Sequence, residues 1–263
     1  MKQILEIWTY KYFICSSIKT DFISRFTRSK LGGLWIIINP LMQVLMYAIV
    51  LSSVLSSKLP GIDNKYSYAI YLIAGMLFWS LFNEIFLRCV DVFVSNANII
   101  KKIPFPKLCL PIIASGTAII NNIIFFLTMI IVFLFLGHDI GINLIYIPLL
   151  AILTILLALS GGMLFGIINV FVRDVSQIMS IAIQFLFWFT PIVYMINILP
   201  QKYYKFIYIN PLTSIAEGYH QIILYNKAPD LGTLLYPFLL TVCVACLAIF
   251  IYNKADEEMA DVL

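Results

Sequence analysis

Six long runs of apolar residues dominate the chain, separated by short stretches that gather its charges, prolines and glycines. A helix needs about twenty largely apolar residues to cross a hydrocarbon core of roughly 30 Å at about 1.5 Å per residue. By that measure the pattern predicts membrane spans over 34–55, 68–87, 108–136, 144–172, 176–196 and 231–252. Three other stretches need a different reading. In residues 3–22, Ile4, Trp8, Ile18 and Phe22 fall near a helical period with Lys2, Glu6, Lys11, Lys19 and Asp21 between them. That spacing predicts, within residues 1–33, an amphipathic helix lying in the membrane interface. Residues 89–107 place Ser95 and Asn96 where they would cap a short helix that Pro104 and Pro106 then end. Residues 197–230 are punctuated by Pro200, Asn210-Pro211, Gly218 and Pro229, yet stay apolar in between. Two short helices that dip into the membrane and return satisfy both features. Broken backbone at that depth survives only when packed on protein or lining a cavity, which points to a pore entrance. The expected fold is an all-α integral membrane protein forming one transmembrane domain over 1–263.

Composition strengthens this picture and removes others. The chain has 263 residues, 62% of them hydrophobic and 11% charged, and its mean hydropathy is +0.98. A soluble domain carries about a quarter charged residues, and one of this size must cover itself with polar groups. The net charge of +4 is spread along the chain, so nucleic acid is not an expected partner. With the N-terminus in the cytoplasm, twelve of the 17 Lys and Arg lie inside and five (Lys58, Lys65, Lys202, Lys205, Lys227) lie outside. The positive-inside rule then predicts that both termini are cytoplasmic. The acidic tail at Asp256, Glu257, Glu258 and Asp261 weighs little in that rule. The first thirty residues carry six basic residues without an unbroken apolar core, so no cleavable signal peptide is expected. Five cysteines form no disulfide scaffold, and Cys243 and Cys246 read as small apolar residues of the last span.

The chain offers little chemistry of its own. It contains no G-x-x-x-x-G-K-[ST] phosphate loop. Gly162 and Gly166 instead give the fourth span a G-x-x-x-G face for close helix packing. Glu84 is the one acidic residue inside a predicted span, and Arg88 four residues on suits a structural ion pair better than an ion-coupling site. His138 and His220 are the only histidines, and no catalytic triad or metal-ligand cluster can be assembled around them. The aromatics are more informative. Phe185, Trp188 and Phe189 lie on nearby turns of the fifth span, with Tyr194 beyond a kink expected at Pro191. Aromatic faces carry negative charge density and stack on the weakly positive C–H faces of sugars. Such a row either lines a path for a glycan or faces lipid and core. Asn39-Pro40 similarly places a polar kink inside the first span.

Several motifs, in order along the chain, resemble those of the transmembrane subunits of ABC type 2 exporters that move O antigen, capsule and teichoic acid polysaccharides. The stretch R-F-T-R-S-K-L-G-G-L-W-I-I-I-N-P-L (25–41) is similar to that family's basic-S-x-L-G-x-L-W-x-x-x-x-P-L signature. S-N-A-N-I-I-K-K-I-P-F-P-K (95–107) resembles its coupling segment, and V-F-V-R-D-V (170–175) its short turn between the fourth and fifth spans. F-T-P-I-V-Y (189–194) and I-N-P-L-T (209–213) resemble motifs flanking its external gate helices. The resemblance implies a homodimer in the bacterial inner membrane bound to two copies of a cytoplasmic ATP-binding subunit. ATP and magnesium would sit on that partner, and this chain would hold no cofactor and catalyse nothing. It further implies docking of the ATPase on Asn96, Asn98, Ile99, Ile100, Lys101 and Lys102. Arg25, Arg28 and Trp35 would stand at the cytoplasmic entrance. Asn39, Phe185, Trp188, Phe189 and Tyr194 would line the channel, and Asn210, Pro211, Glu217 and His220 would form an external gate. Many relatives carry arginine where this chain has His220. The expected cargo is a lipid-linked polysaccharide. The same architecture serving a drug or a lipid remains open, as does a membrane-embedded glycan-modifying enzyme, which would need convergent acid and base groups.

Overall fold

The second apolar run lies at the centre of the bundle because it carries Ser80, Asn83, Glu84 and Arg88, polar groups that lipid would not solvate and that neighbouring helices must surround. The computed structural model describes residues 8–24, 32–46, 67–102, 105–135, 137–138 and 141–263. Ten α-helices are named here in chain order: α1 Lys11–Ser24, α2 Trp35–Met46, α3 Ser67–Ser95, α4 Ala97–Lys102, α5 Cys109–Phe135, α6 Ile147–Phe171, α7 Asp174–Phe189, α8 Tyr204–Ile209, α9 Pro211–Ile223 and α10 Leu231–Val262. No strand occurs among the described residues. Helix α3 is buried along most of its length between α5, α6, α7 and α9. Phe78, Phe82 and Phe86 stack down one side of it at centroid spacings of 6.4 and 5.6 Å.

Among the described residues, four helices are long and apolar enough to cross a membrane: Ser67–Ser95, Cys109–Phe135, Ile142–Phe171 and Leu231–Asp256. The outward faces of α5 and α10 carry Ile123, Leu127, Ile131, Phe238, Leu239 and Phe250, all exposed. Apolar belts of this kind suit lipid and not water, and the chain is a multi-pass membrane protein. Cys243 and Cys246 lie on this outward face of α10 and not in its packed seam. Residues 47–55 of the first predicted span, and Arg25 and Arg28, lie outside the described residues.

The G-x-x-x-G face does what its spacing predicts. A methyl group added at Gly162 would lie 2.7 Å from the Phe86 carbonyl oxygen, and one at Gly166 would lie 2.4 Å from that of Cys89. Only glycine permits α6 to approach the α3 backbone so closely. The Glu84–Arg88 pair also forms, at 3.1 Å. It belongs to a larger set, because Arg88 also reaches Asp21 of α1 at 3.2 Å. Asn121 and Thr117 of α5 donate to Glu84 and Asp21 at 2.8 and 2.9 Å.

Three expectations need correction. The second span does not stop near residue 87; α3 runs to Ser95 and takes in half of the segment assigned to the cytoplasmic knob. Ser95 and Asn96 accordingly close the end of α3. Ser95 Oγ donates to Asp91 O at 2.8 Å, and Asn96 Nδ2 donates to Val92 O at 2.8 Å, so neither side chain caps α4. The fifth span ends at Phe189 and not at 196, since a residue before proline is forced out of the helical region; Thr190 is extended, at φ −97° and ψ 134°. Pro191 therefore ends the helix instead of kinking it. Finally, the buried face of α1 holds Ile14, with Ile18 seated against Gly116 of α5. Trp8 lies exposed beneath Lys11, whose ammonium is 5.1 Å from the ring centre.

Candidate functional site

At the end of the bundle away from α4, the chain leaves α7 and makes a tight elbow over residues 190–195. The break exposes carbonyls that helix would have satisfied, and polar side chains of neighbouring elements take them up, as low-dielectric surroundings require. Tyr68 Oη donates to Val193 O at 2.6 Å. Tyr71 Oη reaches Pro191 O at 3.1 Å and Tyr194 O at 2.8 Å. Thr190 accepts from Asn210 Nδ2 at 2.9 Å. Asn210 also caps α9, its Oδ1 accepting from Leu212 N at 3.1 Å, with Pro211 at the first helical position where no amide is needed. Two short helices, α8 and α9, follow the elbow as the 197–230 pattern predicts. Their corner is closed by Thr213 donating to Ile207 O and Tyr236 donating to Ile209 O, both at 2.8 Å.

This arrangement brings two groups of candidate residues together. Trp188, Phe189 and Tyr194 share one cleft of about 940 Å³ with Asn210 and Pro211. Its other walls are almost wholly apolar, built from Phe82, Phe86, Phe165 and Phe206. Trp188 and Phe189 are 65% and 67% exposed, so their rings face outward from this chain. Phe185 is equally exposed but lies outside the cleft, and so do Asn39 and Trp35 on α2. Glu217 and His220 face a smaller polar pocket behind α9. Tyr208 donates to Glu217 at 2.5 Å. Burial raises the Glu217 carboxyl above the ordinary carboxylate range. His220, 4% exposed, stacks on Tyr71 with ring centres 3.8 Å apart. Burial holds its pKa down to about 3, so the imidazole is neutral where an arginine would carry charge.

At the opposite end, Asn98, Ile99, Lys101 and Lys102 form the exposed face of α4. Ile100 does not belong to that face. It is 8% exposed and packs among Val92, Phe93, Leu110 and Met259, so it anchors the knob and is unavailable to a docking partner. Lys107 secures the same corner to α10 by an ion pair with Asp256 at 2.9 Å. The sequence reading missed Tyr68, Tyr71, Thr190 and Tyr208. The i, i+3 spacing of the two α3 tyrosines near the start of that helix was the available signal.

The family description "ABC-2 type transporter" matches residues 12–224. The chain belongs to the ABC-2 type transporter family. Its relatives include the O-antigen export system permease protein RfbA of Klebsiella pneumoniae, 28% identical over 252 residues and covering 92% of each chain. The RfbA protein of Myxococcus xanthus is 21% identical over 99% of each chain. The polysialic acid transport protein KpsM of Escherichia coli is 21% identical over 90% of each.

Proposed function

We propose that this chain is the channel-forming permease subunit of an ATP-driven exporter of lipid-linked polysaccharide, working as a homodimer in the bacterial inner membrane. The relatives named for O-antigen export and polysialic acid transport support that cargo class. The observation that carries the reading is the shared cleft, in which aromatic side chains at the end of α7 meet the Asn210-Pro211 corner of the gate helices. Two copies of a cytoplasmic ATP-binding subunit dock on the exposed face of α4, and ATP with magnesium is held there. The elbow and gate helices then face the periplasm, and both termini face the cytoplasm. In a dimer, the outward-facing Trp188 and Phe189 rings would border a path between the two copies. Rings that stack on C–H faces without directional hydrogen bonds let a long glycan slide, because no single sugar is held strongly.

Reconstitution tests this directly. The permease and an ATP-binding partner are placed in proteoliposomes with a lipid-linked glycan on one face. ATP-dependent appearance of glycan on the other face is the expected result. Glycan movement without a partner ATPase, or ATP cleavage by the permease alone, would refute the assignment. The mostly apolar walls of the cleft also suit a drug or lipid cargo; transport of a hydrophobic dye in preference to glycan would favour that second reading.

A further inference from the structure

Behind α9 lies a pocket of about 130 Å³, bounded by the first turns of α3 and the short turn Ile196–Ile198. The Tyr71–His220 stack forms its floor. Polar groups without protein partners converge on it. The Asn197 amide and the Tyr225 hydroxyl make no hydrogen bond to another described residue, and one Glu217 oxygen is left over after Tyr208 has bonded the other. Gln221 uses its carbonyl oxygen on Asp230 N, which leaves its amide nitrogen free. No lysine or arginine lines the pocket. It thus differs in kind from the apolar cleft on the other side of the gate helices.

We propose that this pocket is a subsite for one uncharged pyranose ring of the glycan, and that it selects against acidic sugars; this rests on the glycan-export reading above. The chemistry of the lining matches such a ring. Sugar hydroxyls donate to the spare Glu217 oxygen and accept from the Asn197 and Gln221 amides. The exposed face of Tyr225 takes the apolar C–H face of the ring. A uronic or sialic acid would bring its carboxylate beside Glu217 with no cation to offset it, and like charges at short range in a poorly solvated site repel strongly. The volume admits about one ring, so the site reads a single residue of the polymer.

The test uses the complete permease–ATPase complex in nanodiscs and saturation-transfer NMR with four probes. Two are neutral, methyl glucoside and methyl N-acetylglucosaminide; two are acidic, methyl glucuronide and the methyl glycoside of sialic acid. Transfer to the ring C–H protons of the neutral pair, and little to the acidic pair, is the expected result. Asn197→Ala, at an exposed position without a partner, should weaken the neutral signal about fivefold, the effect of losing one hydrogen bond. Glu217→Gln should raise transfer to the acidic pair. Equal transfer to both pairs, or a neutral signal untouched by Asn197→Ala, would overturn the subsite. Export of glycan by cells carrying the unaltered chain separates the two levels. Export with no saturation transfer removes the subsite alone, whereas no export removes the glycan reading and the subsite with it.

Discussion

Tyr71 shows how much one hydroxyl can organise. It serves two carbonyls of the elbow that follows α7. Tyr71→Phe keeps the ring and its stack on His220 but leaves those carbonyls without their donor. The expected cost is about 1–3 kcal/mol, the price of an unmet buried polar group, read as a lowered Tm of the detergent-solubilised protein. His220 gives a pH signature with a definite sign. Its pKa is depressed in the folded protein to about 3 from an ordinary 6.5. The unfolded chain therefore binds the proton first, and the stability present above pH 6.5 is lost as pH falls from there towards 3. Tm should drop by about 5 °C between pH 7 and pH 5, and His220→Gln should flatten that slope. Glu217, whose pKa is raised, acts oppositely: its contribution is present at acid pH and fades as pH rises through its folded value.

Among the elements, the packing of α6 on α3 is the part most plainly written in the sequence. Gly162 and Gly166 announced a close approach by spacing alone, and the contact with Phe86 and Cys89 is where it occurs. Gly166→Ala would push a methyl group against the Cys89 carbonyl, so a loss of about 1–3 kcal/mol is expected from overpacking, checked by thermal unfolding. Spans three and four were legible because their apolar runs stop at clear polar breaks; α5 matches its prediction to one residue at each end, and α6 starts three residues late and ends one early. The fifth was misjudged because hydropathy continues smoothly through Ile192 and Val193, while the backbone obeys Pro191. The second was misjudged because α3 stays helical past the polar Asp91, which Asn169 of α6 approaches at 3.4 Å. What could not be read at all were contacts between distant positions, such as Asp21 with Arg88 or Tyr68 with Val193. No local pattern encodes which tyrosine meets which carbonyl.

For the molecule as a whole, the exposed face of α4 and the elbow that follows α7 stand at opposite ends of α3. Charge reversal at Lys101 and Lys102 together is expected to abolish ATP-driven export while leaving membrane insertion and Tm unchanged. Both lysines are exposed. Export measured in cells beside a membrane-fraction blot checks this, and normal export would remove α4 as the docking surface. Helix α3 has 29 residues and no proline, so it spans about 43 Å without a hinge. Its tightest backbone crossing, on Gly162 and Gly166, falls near Phe86–Val90. A stiff bar pinned there is a lever with unequal arms: about 10 Å towards α4 and about 25–30 Å towards Tyr68 and Tyr71. A nudge delivered by the ATPase would emerge at the elbow reversed in direction and enlarged roughly threefold, by the ratio of those arms. Spin labels at the two ends of α3 should then shift in opposite senses on ATP binding; parallel shifts would show that the crossing slides and does not pivot.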